Sequence, residues 1–435
     1  MKEIKIGLLG CGIVGTGVVG LLQENAAILE EKLGAKLTLK SVAVRDPGKD
    51  RGIALAPGVI TNDFQQVLTD PEISIIVELI GGYSPAREYV LKAIENGKHV
   101  VTANKALLAL HGQELYEGAF RKKVEIRYEA AVAGGIPVLS AIKGNLAANR
   151  FASVLGILNG TCNYILTRMT GEGADFAPVL KIAQELGYAE ADPTFDIEGI
   201  DTAHKLSILI SLCFGTWVTF KDIHVEGISS ITAHDIDFAG RLGYTIKLLA
   251  IGKRDGDRIE ARVHPAMVSA TDPLAGISGV YNAIRMTGNY VGTVMFYGRG
   301  AGREPTASAV VGDLMAIARN MLVGSGRRTA PLGFLDENIG AVPIKPMGET
   351  VCKYYLRFSV VDKPGILAKI AGALGENGIS IKSAIQIAKS GGESVPLVIV
   401  THEAREMAVK KALAMIAAME ITSENPTLLR IEDDL

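Results

Sequence analysis

The 435-residue chain is 48% hydrophobic and 6% aromatic, contains 49 glycines, and sets 45 basic against 47 acidic side chains for a net charge of −2. That length suggests about two to four domains with ample apolar material for several cores, and the interspersed charges offer no basic face for nucleic acid. Cys11, Cys162, Cys213 and Cys352 are scattered without CxxC or metal spacing, as expected of free thiols in a reducing, cytoplasmic setting.

Residues 4–9 read as a strand and 14–31 as a helix. The apolar run 7–22 has the look of a signal-peptide core, but its glycines and the lack of a clear cleavage site argue against one. It is also short of the roughly 20 residues a membrane span needs. Residues 37–44 form a second strand, and 73–80 a nearly continuous apolar run suited to a parallel strand buried on both faces. A helix over 85–96 stops at Gly97, and a strand begins at 99–102. Such alternation implies right-handed crossovers and a parallel sheet.

The middle of the chain is less regular. It holds helices at 163–170, 176–186 and from about Asp201, strand-like runs at 246–252 and 258–264, and an apolar helix at 309–322 able to return to the first sheet. Residues 324–349 carry glycines, prolines and arginines without periodicity and read as a linker. Beyond it, strands at 354–360, 380–387 and 395–401 with helices at 365–376 and 404–419 give a βαββα order, as of a small, separate α+β module.

Gly10-Cys11-Gly12-Ile13-Val14-Gly15 matches G-x-G-x-x-G between the first strand and helix, the context in which that motif binds a dinucleotide. The glycines permit a tight turn and close backbone approach to pyrophosphate, and the helix N-terminus supplies N–H groups and positive dipole. The second strand ends in Val44-Arg45-Asp46, with Lys49 and Arg51 behind. Arg45 favours NADP(H), because a cation accommodates a 2′-phosphate, while Asp46 keeps NAD(H) open.

Four further segments together resemble the homoserine dehydrogenase family. They are Thr102-Ala103-Asn104-Lys105, Tyr128-Glu129 through Gly134-Gly135-Ile136-Pro137, Gly156 through Asn159-Gly160-Thr161-Cys162-Asn163 to Leu166, and Gly187-Tyr188-Ala189-Glu190-Ala191-Asp192-Pro193-Thr194 through Asp196, Gly199 and Asp201 to Lys205. The last is the most diagnostic, and Cys162 stands where the family pattern has Thr. The resemblance implies an N-terminal Rossmann-type doubly wound parallel sheet over 1–133, with a return helix about 305–325. It implies an α+β substrate and dimerisation domain over 134–304, a linker over 326–349 and a ferredoxin-like ACT domain over 350–435. No kinase motif of the bifunctional aspartokinase type precedes the first strand, so the monofunctional form is expected.

The chemistry also follows from the residues. Oxidising a primary alcohol needs a hydride acceptor and a base for the hydroxyl proton, and a lysine can serve as that base directly or through water. Asp201 and Lys205, four apart on a helix, share one face; alone, they would read as a surface ion pair. The resemblance assigns Lys105 and Lys205 to the catalytic centre, favours Lys205 for proton transfer, and gives Asp201 a polarising or positioning role. It places Glu190 on the substrate ammonium, with Asp196, Gly187 and Thr161 around the substrate, and sets Lys105 and the glycine-rich 298–306 stretch, near Gly302, against the cofactor. It further implies a structural monovalent cation, Na+, at Glu129 with the carbonyls of Val132, Gly134 and Ile136. The carboxylates of Asp192, Asp196, Glu198 and Asp201 fit no EF-hand spacing and are read as substrate and lysine partners.

In the tail, Asp362-Lys363-Pro364-Gly365-Ile366-Leu367 followed by Asn377-Gly378 resembles an ACT domain. The resemblance puts an amino-acid effector, L-threonine, at Asp362, Gly365, Ile366 and Asn377. Two alternatives remain open: a nicotinamide- and amino-acid-sensing protein without turnover, against which the retained lysines argue, and a dehydrogenase for another small polar alcohol. Semialdehyde oxidation to an acyl phosphate would need a cysteine nucleophile, and none of the four is persuasive. A homodimer or homotetramer is expected, with no nucleic-acid or membrane partner.

Overall fold

The structure, a computed structural model, describes residues 2–325, 329–386 and 394–433. In chain order the elements begin with β1 (Lys2–Leu9), α1 (Ile13–Glu24), α2 (Ala26–Leu33), β2 (Ala35–Ala43), β3 (Ile60–Thr61), α3 (Phe64–Thr69), β4 (Ile73–Glu78), α4 (Ala86–Glu95), β5 (His99–Thr102), α5 (Lys105–Lys122) and β6 (Ile126–Arg127). There follow α6 (Val138–Lys143), β7 (Phe151–Ile157), α7 (Gly160–Glu172), α8 (Phe176–Glu185), α9 (Thr194–Ile197), α10 (Ile200–Phe214), β8 (His224–Val225), α11 (Ala233–Arg241), β9 (Tyr244–Asp255) and β10 (Arg258–Ser269). The remainder is β11 (Tyr281–Gly288), β12 (Gly292–Arg299), α12 (Arg303–Leu322), β13 (Val351–Val360), α13 (Ile366–Glu376), β14 (Ile381–Gln386), β15 (Val395–Thr401), β16 (Ala404–Arg405), α14 (Glu406–Ala417) and β17 (Thr427–Glu432).

These elements form two compact units, the first comprising Met1–Gly160, Asp201–Asp222 and Val280–Val342. Its main sheet is wholly parallel in the order β3-β2-β1-β4-β5-β6, the doubly wound arrangement expected. The order reverses beside β1, so the glycine turn after β1 opens at the carboxyl edge of the strands, where such sheets bind ligands. Burial of Ile6, Leu8, Ile75 and Val77 on β1 and β4 drives the assembly, and α12 returns to cover α1 with Val310, Val311 and Leu314. Gly17 makes that approach possible, because a Cβ there would stand 2.7 Å from the Arg303 carbonyl oxygen.

The helix expected over 14–31 is two helices, broken at Asn25 (φ −101°, ψ 13°). Beyond Leu22 the stretch is largely exposed, so packing does not hold it straight. The strand expected over 73–80 ends at Glu78, whose carboxylate turns back to accept from the Ile80 and Gly81 amides. The same unit holds the antiparallel strands β7, β11 and β12. Exposed and half-buried positions alternate along β12 without a strong apolar stripe, so the sequence pattern does not announce it.

The second unit comprises Thr161–Ile200, Ile223–Gly279 and Pro343–Leu435. Among the described residues the tail runs β13-α13-β14-β15-β16-α14-β17, two strands more than the pattern shows, around a core that includes Tyr354, Phe358, Ile370, Leu374, Ile399 and Ile416. Of the strand expected over 380–387, Ile387 lies outside the described residues, as do 326–328 of the expected linker. The tail does not stand apart within this unit: β17 pairs antiparallel with β13 and parallel with β10, which makes one sheet with the β9–β10 hairpin. Arg430 on β17 is fully buried and is clamped by Glu226 (2.7 and 2.8 Å) and Glu406 (2.9 and 2.5 Å). A buried guanidinium is tolerable only with its donors so engaged.

Candidate active site

The glycine turn is shaped to admit a ligand. Gly10 has φ +89° and no room for a side chain, since a Cβ would lie 2.7 Å from the Leu79 carbonyl oxygen. A Cβ on Gly15 would stand 2.6 Å from the Gly10 carbonyl oxygen, whereas Gly12 faces open space. Ile13, the first residue of α1, is 75% exposed, an apolar side chain left uncovered above the turn, and Val14 follows it into the helix. Gly10, Gly12, Ile13, Arg45 and Lys49 line a cavity of about 520 Å³. Asp46 is exposed and lines the same cavity, its Oδ1 accepting from the Gly48 amide at 2.9 Å. Arg51 donates to the Lys49 and Asp46 carbonyls, leaving the cations of this loop gathered at the end of β2. These residues fit a dinucleotide: open backbone donors, a helix N-terminus and cations along the cavity wall. Gly302 (φ +122°) caps α12 just after the β12 loop, in a conformation reserved for glycine.

The lysines converge. Asn104 caps α5 by accepting from the Leu107 amide at 3.1 Å, which starts the helix at Lys105. Lys105 Nζ lies 3.1 Å from Asp201 Oδ1, and Lys205 Nζ 2.7 Å from Asp201 Oδ2. Lys205 also donates to the Leu158 carbonyl at 2.7 Å, and Asn159 Nδ2 donates to Asp201 Oδ2 at 2.9 Å. Burial pushes the Asp201 carboxyl up, but the charges of Lys205 and Lys105 and the donated hydrogen bonds outweigh it and hold it well below the usual carboxylate range. Asp201 is 3% exposed, so the i,i+4 pair is no surface ion pair. Lys105 keeps about a third of its side chain in contact with solvent, at 34%.

Two members of this cluster escape a sequence reading. The Leu158 carbonyl leaves no trace in side-chain identity, and Asn282, which donates to the same carbonyl at 2.9 Å, comes from β11, far along the chain. Asn159 lies inside the quoted loop–helix segment, and its spacing before Thr161 is the one available signal.

The expected substrate residues occupy the second unit. Thr161 Oγ1 donates to the Tyr188 carbonyl at 2.6 Å, and Cys162 Sγ to the Asp196 carbonyl at 3.2 Å, tying the start of α7 to the 187–199 segment. Gly187 (φ +75°) turns the chain after α8, and Glu190 is exposed, its carbonyl accepting from Gln184. Asp192 Oδ1 accepts from the amide and hydroxyl of Thr194, the first residue of α9.

Glu129 is buried in the first unit and accepts from the Leu139 and Ser140 amides at 2.8 and 2.7 Å, closing the N-terminus of α6. Val132, Gly134 and Ile136 line the following left-handed turn, with Ala133 at φ +54° and Gly134 at φ +49°. In the tail, Gly365 (φ +90°) precedes α13, Ile366 begins it, and Asp362 accepts from Gln386. Asn377 Nδ2 closes the helix on the Ala373 carbonyl at 2.8 Å. All four cysteines are buried, and burial raises the thiols of Cys11 and Cys213 and pushes Cys352 up to about 12, the opposite of an activated nucleophile.

A doubly wound sheet with this turn, a buried lysine–aspartate–lysine cluster and an ACT-type tail define a nicotinamide-dependent oxidoreductase with a regulatory module. The profile for the homoserine dehydrogenase NAD binding domain matches residues 10–129, that for homoserine dehydrogenase 137–315, and that for the ACT domain 354–416. The homoserine dehydrogenase of Pseudomonas aeruginosa is 45% identical over 433 residues, 99% of each chain. The crystal structure of the Thiobacillus denitrificans homoserine dehydrogenase superposes with a TM-score of 0.94 at 45% identity, covering 100% of this chain and 99% of that one. A hyperthermophilic archaeal homoserine dehydrogenase in complex with NADPH matches 75% of this chain and 100% of its own at 25% identity and a TM-score of 0.63. The chain belongs to the homoserine dehydrogenase family.

Proposed function

We propose that the protein interconverts L-homoserine and L-aspartate 4-semialdehyde, with NADP(H) preferred over NAD(H). The bound nicotinamide would supply or accept the hydride. The observation that carries the reading is the pair of lysines held on one buried carboxylate, Lys105 at 3.1 Å and Lys205 at 2.7 Å from Asp201. In the reducing direction a hydride reaches the aldehyde carbon, the carbonyl electron pair moves to oxygen, and Lys205 gives that oxygen a proton. Lys205 already donates to Leu158 and Asp201, and those two fixed acceptors orient the ammonium toward its substrate. Asp201 holds that ammonium in place, and Lys105, still partly open to solvent, lends a second positive charge to the developing alkoxide.

Glu190 would receive the substrate ammonium, with Asp196, Gly187 and Thr161 shaping that side. Arg45 and its neighbouring cations support NADP(H), in keeping with the NADPH-bound archaeal relative. Glu129 with the carbonyls of Val132, Gly134 and Ile136 would hold Na+; the left-handed turn at Ala133 and Gly134 supports that reading by turning backbone there. The functional domains would then be 1–133 with the 305–325 return helix, 134–304 and 350–435. Family membership and the ACT domain support, as parts of the same reading, placement in threonine, methionine and isoleucine biosynthesis, feedback by L-threonine at Asp362, Gly365, Ile366 and Asn377, a cytoplasmic location and a homodimeric or homotetrameric assembly. NADPH oxidation followed at 340 nm with L-aspartate 4-semialdehyde tests the reading. Turnover that collapses in Lys205→Ala supports it; tight cofactor binding without turnover would favour the sensor.

A further inference from the structure

Glu78 and Thr102 end the adjacent strands β4 and β5 directly opposite each other, both fully buried. Buried carboxylates ordinarily come with a cation, since the charge is costly to desolvate. Among the described residues no Lys or Arg stands within ion-pairing distance of Glu78. Three neutral donors serve it instead. Its Oε1 accepts from the Ile80 amide at 2.8 Å and the Gly81 amide at 3.2 Å, and its Oε2 accepts from Thr102 Oγ1 at 2.7 Å.

Each arm leads to part of the proposed site. The first fixes residues 79–82, where Leu79 and Ile80 wall the cofactor cavity and lie so close to Gly10 that a Cβ there would touch Leu79 O and Ile80 N at 2.7 and 3.0 Å. The second passes through Thr102, whose hydroxyl oxygen accepts from the Asn104 amide at 3.0 Å. Asn104 in turn caps α5 at Leu107 and donates to the Gly82 carbonyl at 2.7 Å, closing a ring of bonds around the first residue of the helix, Lys105. The direction of donation matters. Thr102 spends its proton on Glu78 and keeps a lone pair for Asn104, and the three donors together require a partner that accepts at both of its terminal atoms, as a carboxylate does and an amide does not.

We infer that Glu78 is a positioning residue: its carboxylate locks the wall of the cofactor cavity and the lysine-bearing start of α5 into one unit. This rests on the proposed role of Lys105. Threonine at 102 acts on the Lys105 arm alone, whereas Glu78 acts on both arms, so their variants differ in kind.

The test compares Glu78→Ala, Glu78→Gln, Thr102→Val and Thr102→Ser with wild type and Lys105→Ala, by steady-state kinetics and by NADPH fluorescence titration of the substrate-free protein. Thr102→Val should lower kcat about 10- to 100-fold, the scale of a reacting group displaced by about 1 Å, while the NADPH Kd stays within about two-fold. Thr102→Ser should restore kcat. Glu78→Ala and Glu78→Gln should lower kcat and also weaken NADPH binding, Glu78→Gln because its amide strands two buried donors. If Glu78→Ala does not fold, the Thr102 pair and Glu78→Gln decide the matter. Folded variants with wild-type kcat and Kd, alongside a crippled Lys105→Ala, would overturn this inference alone. An unaffected Lys105→Ala would overturn the role of Lys105, and this inference with it.

Discussion

Replacing Asp201 by Asn keeps the shape of the side chain and removes the charge on which two lysines converge. At contact distances of 2.7 and 3.1 Å each attraction is worth at most about 5–6 kcal/mol at an effective dielectric near 20. The Lys105 share must be discounted, because its side chain is 34% exposed and its ammonium can swing into water. Lys205, 8% exposed, has no such escape. Removing one partner of a buried pair costs about 3–5 kcal/mol, and with the Lys105 discount the lower end, about 3 kcal/mol, applies. Turnover should fall about 10²- to 10⁴-fold, the usual worth of positioned acid–base assistance. Urea unfolding followed by circular dichroism measures the first effect and NADPH oxidation at 340 nm the second. The double variant Asp201→Asn/Lys205→Met should be more stable than Asp201→Asn alone, since it removes the orphaned charge, yet remain inactive. A single variant within about 0.5 kcal/mol of wild type, or a double variant showing the sum of the single losses, would refute the account of the cluster.

Three further outcomes follow from the same structure. Burial holds the His204 imidazole neutral, with its pKa pulled down to about 4. The unfolded chain, protonating near 6.5, therefore binds more protons between those values, and stability present above about pH 6.5 should fall by up to about 3 kcal/mol as pH drops toward 4; urea midpoints at pH 4.5 and 7 should differ less in His204→Gln, and an equal difference would remove His204 as the cause. Arg45→Glu should raise KM for NADPH about ten-fold while leaving KM for NADH nearly unchanged, which cofactor titrations at low salt would show, and equal effects on both would remove the 2′-phosphate assignment. Arg430→Met strands the Glu226 and Glu406 carboxylates and should cost about 3–5 kcal/mol in calorimetry, a loss that Glu406→Gln in the same chain should partly reverse.

Much of this protein is local in origin and was therefore written in the order of its residues. The alternation of apolar runs and helical stretches up to residue 127 specifies a parallel sheet, and Gly10 and Gly15 stand at turn positions that no larger residue could fill. The i,i+4 spacing of Asp201 and Lys205 on α10 sets one face for both, because helical geometry permits nothing else. Asn25 and β12 show the limit of such reading, since there the local pattern is weak and packing decides.

Tertiary structure alone decided the rest. It brought Lys105 within 3.1 Å of Asp201 and set the Leu158 carbonyl against Lys205, contacts between residues far apart in the chain, one of them made by backbone atoms that carry no residue identity. It turned Glu78 from the last residue of an apolar strand into the acceptor for Thr102, and it joined β17 to β10 so that the tail shares a sheet with its neighbour. Propensity and periodicity act over a few residues, whereas burial and ion pairing depend on which surfaces meet, so the elements were legible in the sequence and their meeting points were not.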